Sequence, residues 1–215
     1  MTLFLGRQQC INYHSTAKLS EPIENITVDL STITKTGSRL GSCATVLSKL
    51  QNKYLVCVLD AKYRNITSWS EILDNTELQD YDSAPTTSGS EDAASTSMDI
   101  MINSNNDNLS YYPAFESSKN AKQIIINGKT YHSLLPNVEE LNLIRMMRQQ
   151  LETADPTAND WTQYKLSDWS FGGTGGAWTC AEANAEHAYV INSNGATAIS
   201  KNEIFGVIPI FEIPL

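Results

Sequence analysis

Charge is scarce in this sequence. Only 18% of the 215 residues are Asp, Glu, Lys or Arg, the residues from which exposed helix faces are normally built. Ser, Thr and Asn fill the surface instead, which favours β-rich, loop-rich architecture. Positive charge is scarcer still: fifteen Lys and Arg, nowhere clustered, stand against twenty-four Asp and Glu, for a net charge of -9. That balance argues against nucleic acid as a partner, because backbone phosphates demand a basic footprint. It argues equally against anionic membrane surfaces. The acidity itself reads as a solvated, soluble surface.

Long apolar runs are missing, so no membrane span is expected. The opening residues Met1 to Arg7 lack a charged n-region and a long apolar h-region, so no signal peptide is read there and synthesis in a cytoplasm is expected. The four cysteines, Cys10, Cys43, Cys57 and Cys180, include no CxxC pair, and a free, reduced set fits cytoplasmic synthesis. The three histidines, His14, His132 and His187, form no HxxxH or HExxH spacing, and no G-x-S-x-G is present. No metal, no cofactor and no enzymatic activity are therefore expected.

What is present is 41% hydrophobic residue content, enough for a real core. Residues 1–44 carry Ile11, Ile23, Ile26, Val28, Leu30 and Ile33 among Thr and Ser, a β-leaning pattern. They are too apolar for a free polar tail, so they should be covered by the chain's own domain, by sister copies or by a partner. Lys53 to Asp60 is a short, largely apolar run that predicts a buried strand, with Cys57, inside Tyr54 to Leu59, as a small core residue. Ser68-Trp69-Ser70-Glu71 has capping-box spacing and suggests a short helix. Residues 80–110 are rich in Ser, Thr, Asp and Asn and read either as a flexible segment or as a long ordered loop.

Beyond residue 122 the pattern sharpens. Gln123–Ile126, Asn127-Gly128 and Lys129–His132 read as strand, type I′ turn and strand. Asn137 and Glu140 have capping-box spacing, and Val138, Leu141, Ile144, Met147 and Leu151 form one apolar stripe, so a helix is expected over 138–151. A second hairpin is expected around Asn192-Ser193-Asn194-Gly195. A last strand should run from about Ile204 to Ile213, with Pro209 and Pro214 marking it as partly unpaired or at an edge. Trp161, Trp169 and Trp178 are either core aromatics or a sugar-stacking platform.

Four strings stand in order: Leu134-Leu135-Pro136-Asn137-Val138-Glu139-Glu140-Leu141, Ala177-Trp178-Thr179-Cys180-Ala181-Glu182, His187 to Gly195, and Phe205-Gly206-Val207-Ile208-Pro209-Ile210. Taken as a set, they resemble the helix start, the following strand, the hairpin after it and the closing strand of C-type-lectin-like domains of bacteriophage virion proteins. Val56 to Arg64, with Trp69, looks like the opening strand and first helix of phage versions. Two features depart from the family. The Glu-Pro-Asn and Trp-Asn-Asp motifs of calcium-dependent sugar binding are missing, and Ile208 stands where an Arg is usual.

The resemblance implies an α+β fold: a C-type-lectin-like domain over 45–215 with an antiparallel sheet and one or two helices, after a β-leaning N-terminal arm, 1–44, for anchoring or oligomerisation. It implies a non-enzymatic virion structural protein, such as a head fibre, decoration or tail-associated protein. Expected partners are sister copies in a homotrimer, other virion proteins, and a host-surface glycan or protein. A stand-alone glycan- or protein-binding module is the alternative. The recognition surface of related tropism determinants corresponds here to Glu182, Asn184, Glu186, His187, Asn192 and Asn194, a set that also reads simply as a solvated hairpin.

Overall fold

The computed structural model describes residues 22–46, 54–70, 112–158, 166, 175–184 and 186–215. They form a mixed α+β architecture of three sheets, mostly antiparallel, with three α-helices.

The apolar run forms β4, Tyr54–Leu59, and its two-residue period explains the layering. Strands β2 (Arg39–Leu40) and β3 (Cys43–Val46) lie on one side of it and β12 (Ile210–Pro214) on the other, in the order β12-β4-β3-β2. Leu55, Cys57 and Leu59 point to one face, where Phe211, Ile213 and Cys43 join them. Val56 and Val58 point to the other, beside Ala44, Val46 and Ile210. A strand buried on both faces needs no polar alternation.

The first face is covered by a small sheet, β1-β6-β7, in which β1 (Glu24–Ile26) runs parallel to β6 (Gln123–Ile126) and β7 (Lys129–His132) completes a hairpin. Asn127 and Gly128 turn that hairpin at φ 49° and 82°, the pair of positive values that a type I′ turn requires. The Asn127 side chain also ties down the segment before it, accepting from Val28 N at 3.0 Å and donating to Val28 O at 2.9 Å. Ile26, Val28, Leu30 and Ile33 pack on the same cluster as β4 and β12. Among the described residues the chain itself therefore covers these four in part, while Ile23 stays half exposed. The expected boundary at 44/45 falls inside β3, and Ile11 lies outside the described residues.

The second face is covered by helices. Asn137 caps α2, Val138–Met146, accepting from Glu140 N at 2.8 Å while Glu140 reaches back to Asn137 N at 2.9 Å. The expected single helix divides at Met147 (φ -97°, ψ 10°), and α3 runs Arg148–Ala154. The hydrogen-bond ladder continues through the break, from Met147 N to Leu143 O and from Leu151 N to Met147 O, so the stripe Leu141, Ile144, Leu151 stays on one core. The helix α1, Pro113–Lys119, was not expected; its signal is Pro113 at the first helical position.

The largest sheet has the order β10-β9-β8-β11-β5. It comprises β5 (Asn65–Ser68), β8 (Gly176–Glu182), β9 (His187–Asn192), β10 (Gly195–Ser200) and β11 (Ile204–Val207). Trp178, Cys180, Ala188 and Val190 meet Trp69, Tyr112 and Phe115 in a third cluster, where Trp69 and Phe115 pack edge to face at 5.1 Å. Trp178 is thus a core aromatic; Trp161 and Trp169 lie outside the described residues. The expected last strand is two strands. At Ile208-Pro209 the chain leaves β11 and crosses to β12, which pairs with β4 at a sheet edge. Pro209 has no N–H to give, and its carbonyl accepts from Leu59 N at 3.0 Å. Ile208 is fully buried there. After β4 the chain makes a 3-10 turn, Ala61–Tyr63, before β5. Ser68 ends β5, and the helix suggested after it, like residues 80–110, lies outside the described residues.

Candidate functional site

Strand β8 delivers its last residue, Glu182, inward. Its side chain is 3% exposed and forms an ion pair with Lys201, whose side chain is fully buried. The Lys201 ammonium lies 4.8 Å from the centre of the Trp69 ring. The backbone repeats the connection: Trp69 N and Ser70 N donate to Lys201 O at 2.9 and 3.1 Å, and Lys201 N donates to Glu186 O at 2.9 Å. Trp69 Nε1 donates to Thr179 O at 2.8 Å. One buried charge pair therefore joins the β8–β9 turn, the β10–β11 turn and the end of β5.

The other expected site residues fall at two separate ends of the β9–β10 hairpin. At the first end, Asn184 Oδ1 accepts from Glu186 N at 3.0 Å and His187 N at 2.9 Å, and lies 3.0 Å from His187 Nδ1. A short amide side chain serves here as the organiser of a turn. Asn184 and Glu186 are exposed and His187 half-buried. At the second end, Asn192 Oδ1 accepts from Asn194 N at 2.8 Å, and its Nδ2 donates to Thr197 Oγ1 at 3.2 Å. Asn194 is exposed at the tip. There Arg145, from the last turn of α2, donates to Ser193 O at 3.0 Å. Five residue steps along β9 separate the two ends by about 17 Å. The six residues thus divide into a buried carboxylate, an exposed turn with a carboxylate, an amide and an imidazole, and an exposed amide-bearing tip. The exposed groups suit hydrogen bonding to a polar partner.

A second charged cluster, missed in the sequence, fastens α3 to the end of β4. Arg64, almost fully buried, meets Glu152 Oε1 at 2.9 Å and Asp155 Oδ2 at 3.4 Å. Asp155 Oδ2 also accepts from Ala61 N at 2.6 Å, and its Oδ1 accepts from Thr157 N at 2.7 Å. Arg39 grips Asp60 through its two terminal guanidinium nitrogens, Nη1 to Oδ1 and Nη2 to Oδ2. The two partners of that grip fare differently. Asp60 holds the Arg39 guanidinium charged, above its ordinary range. Burial pushes the Asp60 carboxyl up, and the hydrogen bond from Arg39 only partly offsets it. Asp60 is the more buried partner, 4% exposed against 35%, so its desolvation decides the balance and the pair positions strands more than it stabilises them.

Cys43, Cys57 and Cys180 are free and buried. A hydrogen bond with Cys57, and then burial, push the Cys43 thiol well above its ordinary range, which makes it a poor nucleophile. Among the described residues no three His, Cys, Asp or Glu side chains converge as metal ligands, and no helix is long and apolar enough to cross a membrane. No protein-family model matches the chain, and no curated protein or solved structure matches it significantly.

Proposed function

We propose that this chain is a non-enzymatic bacteriophage virion protein whose C-type-lectin-like domain presents the β9–β10 hairpin to a host-surface glycan or protein. One observation carries the reading. The strings that resemble that family follow in order along one path, the closing one running from β11 through the crossover to Ile210, and the strand that begins there returns to β4: β12 pairs with β4 over five residues, Ile210 opposite Val58 to Pro214 opposite Tyr54. Between them lie the capped start of α2, then β8, then the β9–β10 hairpin. The hairpin is held from behind by the Glu182–Lys201 pair and at its tip by Arg145. A polar surface on so fixed a support suits recognition with little ordering cost.

Competition for adsorption tests the proposal. Purified full chain, added in excess, should slow attachment of the particle to its host cells. The variant Glu186→Ala with Asn194→Ala, which truncates two exposed side chains and keeps the Asn184 and Asn192 turn bonds, should compete less well while melting at the same temperature. Adsorption unchanged by the wild-type chain would remove the attachment role.

A further inference from the structure

Among the described residues the outer edge of β10 is unpaired. We propose that two copies of this chain pair there, β10 against β10, antiparallel about a two-fold axis, joining their five-stranded sheets. The inference is independent of the virion reading.

Sheet edges template association unless they are blunted, and the other edges of this fold are. Strand β1 has three residues and β2 has two. Strand β7 carries Lys129 and Tyr131. The outer side of β12 exchanges hydrogen bonds between Ile210 and Leu134, at 2.8 and 3.0 Å, and ends in Pro214. Strand β5 lies under α1, with Asn65 Nδ2 donating to Ser117 Oγ at 3.1 Å. Strand β10 has none of these devices. Its six residues, Gly-Ala-Thr-Ala-Ile-Ser, contain no charge and no proline, and it pairs with β9 without a bulge. Among the described residues no strand pairs with its outer side, and Ala196 and Ala198 are exposed.

Geometry and charge select a second copy. The two-residue turn makes Asn192 and Gly195 the closing hydrogen-bonded pair, so Ala196 and Ala198 turn N–H and C=O outward and Ser200 its N–H, while the Ser200 carbonyl accepts from Glu203 N at 3.0 Å. An axis at Ala198 sets Ala198 against Ala198 and Ala196 against Ser200, small residues throughout, with about four interchain hydrogen bonds. No charged residue enters the ladder, although each chain carries a net charge of -9. Beyond it, the turn bearing exposed Glu203 approaches the partner's hairpin tip, where Arg145 is hydrogen-bonded to Ser193. That brings opposite charges together twice across the axis. The contact is smaller than the ~1,200 Å² of a standard interface, so association should be weak and concentration-dependent.

Sedimentation velocity of the full chain up to about 100 µM reads this directly. Wild type should move toward twice the chain mass. Ala198→Lys, which sets like charges opposite each other, should weaken association at least about tenfold. Mixing Ala198→Lys with Ala198→Glu chains should restore the dimer, which a misfolded variant cannot do. A wild-type chain that stays monomeric overturns the proposal. So does association, dimeric or trimeric, that Ala198→Lys leaves unchanged, or a mixture that fails to re-pair although both variants melt like wild type.

Discussion

Replacing Lys201 by Met tests the support behind the hairpin. The substitution keeps most of the side-chain volume and its contact with Trp69, but removes the ammonium from a carboxylate that is 3% exposed. Breaking a buried ion pair from one side costs about 3–5 kcal/mol, because the remaining charge is buried without its counter-charge. For a chain of this size each kcal/mol lowers the melting temperature by about 2–4 °C, so Lys201→Met should melt about 6–20 °C lower. Replacing both partners, Lys201→Met with Glu182→Leu, removes the stranded charge and should recover most of the loss. Thermal and urea unfolding at neutral pH measure both. A single variant within about 1 kcal/mol of wild type, or a double variant as unstable as the single, would refute the reasoning.

Three further outcomes are expected. Asn137→Ala removes half of the capping box and should cost about 1 kcal/mol by urea unfolding, the usual value for a lost N-cap. Asn127→Gly should speed hydrogen exchange at the Val28 amide by releasing the tether, and Asn127→Ala should cost about 1–2 kcal/mol more than Asn127→Gly, because Ala keeps a Cβ at φ 49° that Gly lacks. The Asp60 carboxyl lies above its ordinary 3.8 when folded, so the folded state binds its proton more tightly than the unfolded state. Its stabilising contribution is complete below 3.8 and is lost as pH rises through the raised value. The stability of wild type relative to Asp60→Asn should therefore increase on acidification toward pH 4, measured by urea unfolding across that range; a constant difference would contradict it.

Local chemistry was legible in the sequence, and partnership was not. Asn127-Gly128 and the Asn137–Glu140 box act within four residues, and both form as their residue types require. The run Tyr54–Leu59 announces a strand buried on two faces by composition alone. The Glu182–Lys201 pair spans nineteen residues, and Arg64 meets Glu152 and Asp155 from 88 and 91 residues away; only the packed fold makes such partners neighbours. The switch of sheets at Pro209 depends on Leu59 N being there to meet its carbonyl. The resemblance together with polarity marked Glu182 as a surface residue, and the cation that turns it inward stands on another turn. The hairpin that contains β10 was legible, but its place at a sheet edge was not, because an edge is a property of the assembled sheet and not of Gly195–Ser200.

Cryo-electron microscopy of particles purified through a density gradient from the source culture, with mass spectrometry of the same fraction, decides the proposed virion role. Peptides of this chain should appear in the fraction that carries infectivity, with surface density that fits β4, β12 and the five-stranded sheet and with the β9–β10 hairpin facing outward. A chain found only in particle-free fractions, with no such density on the particle, would exclude that role.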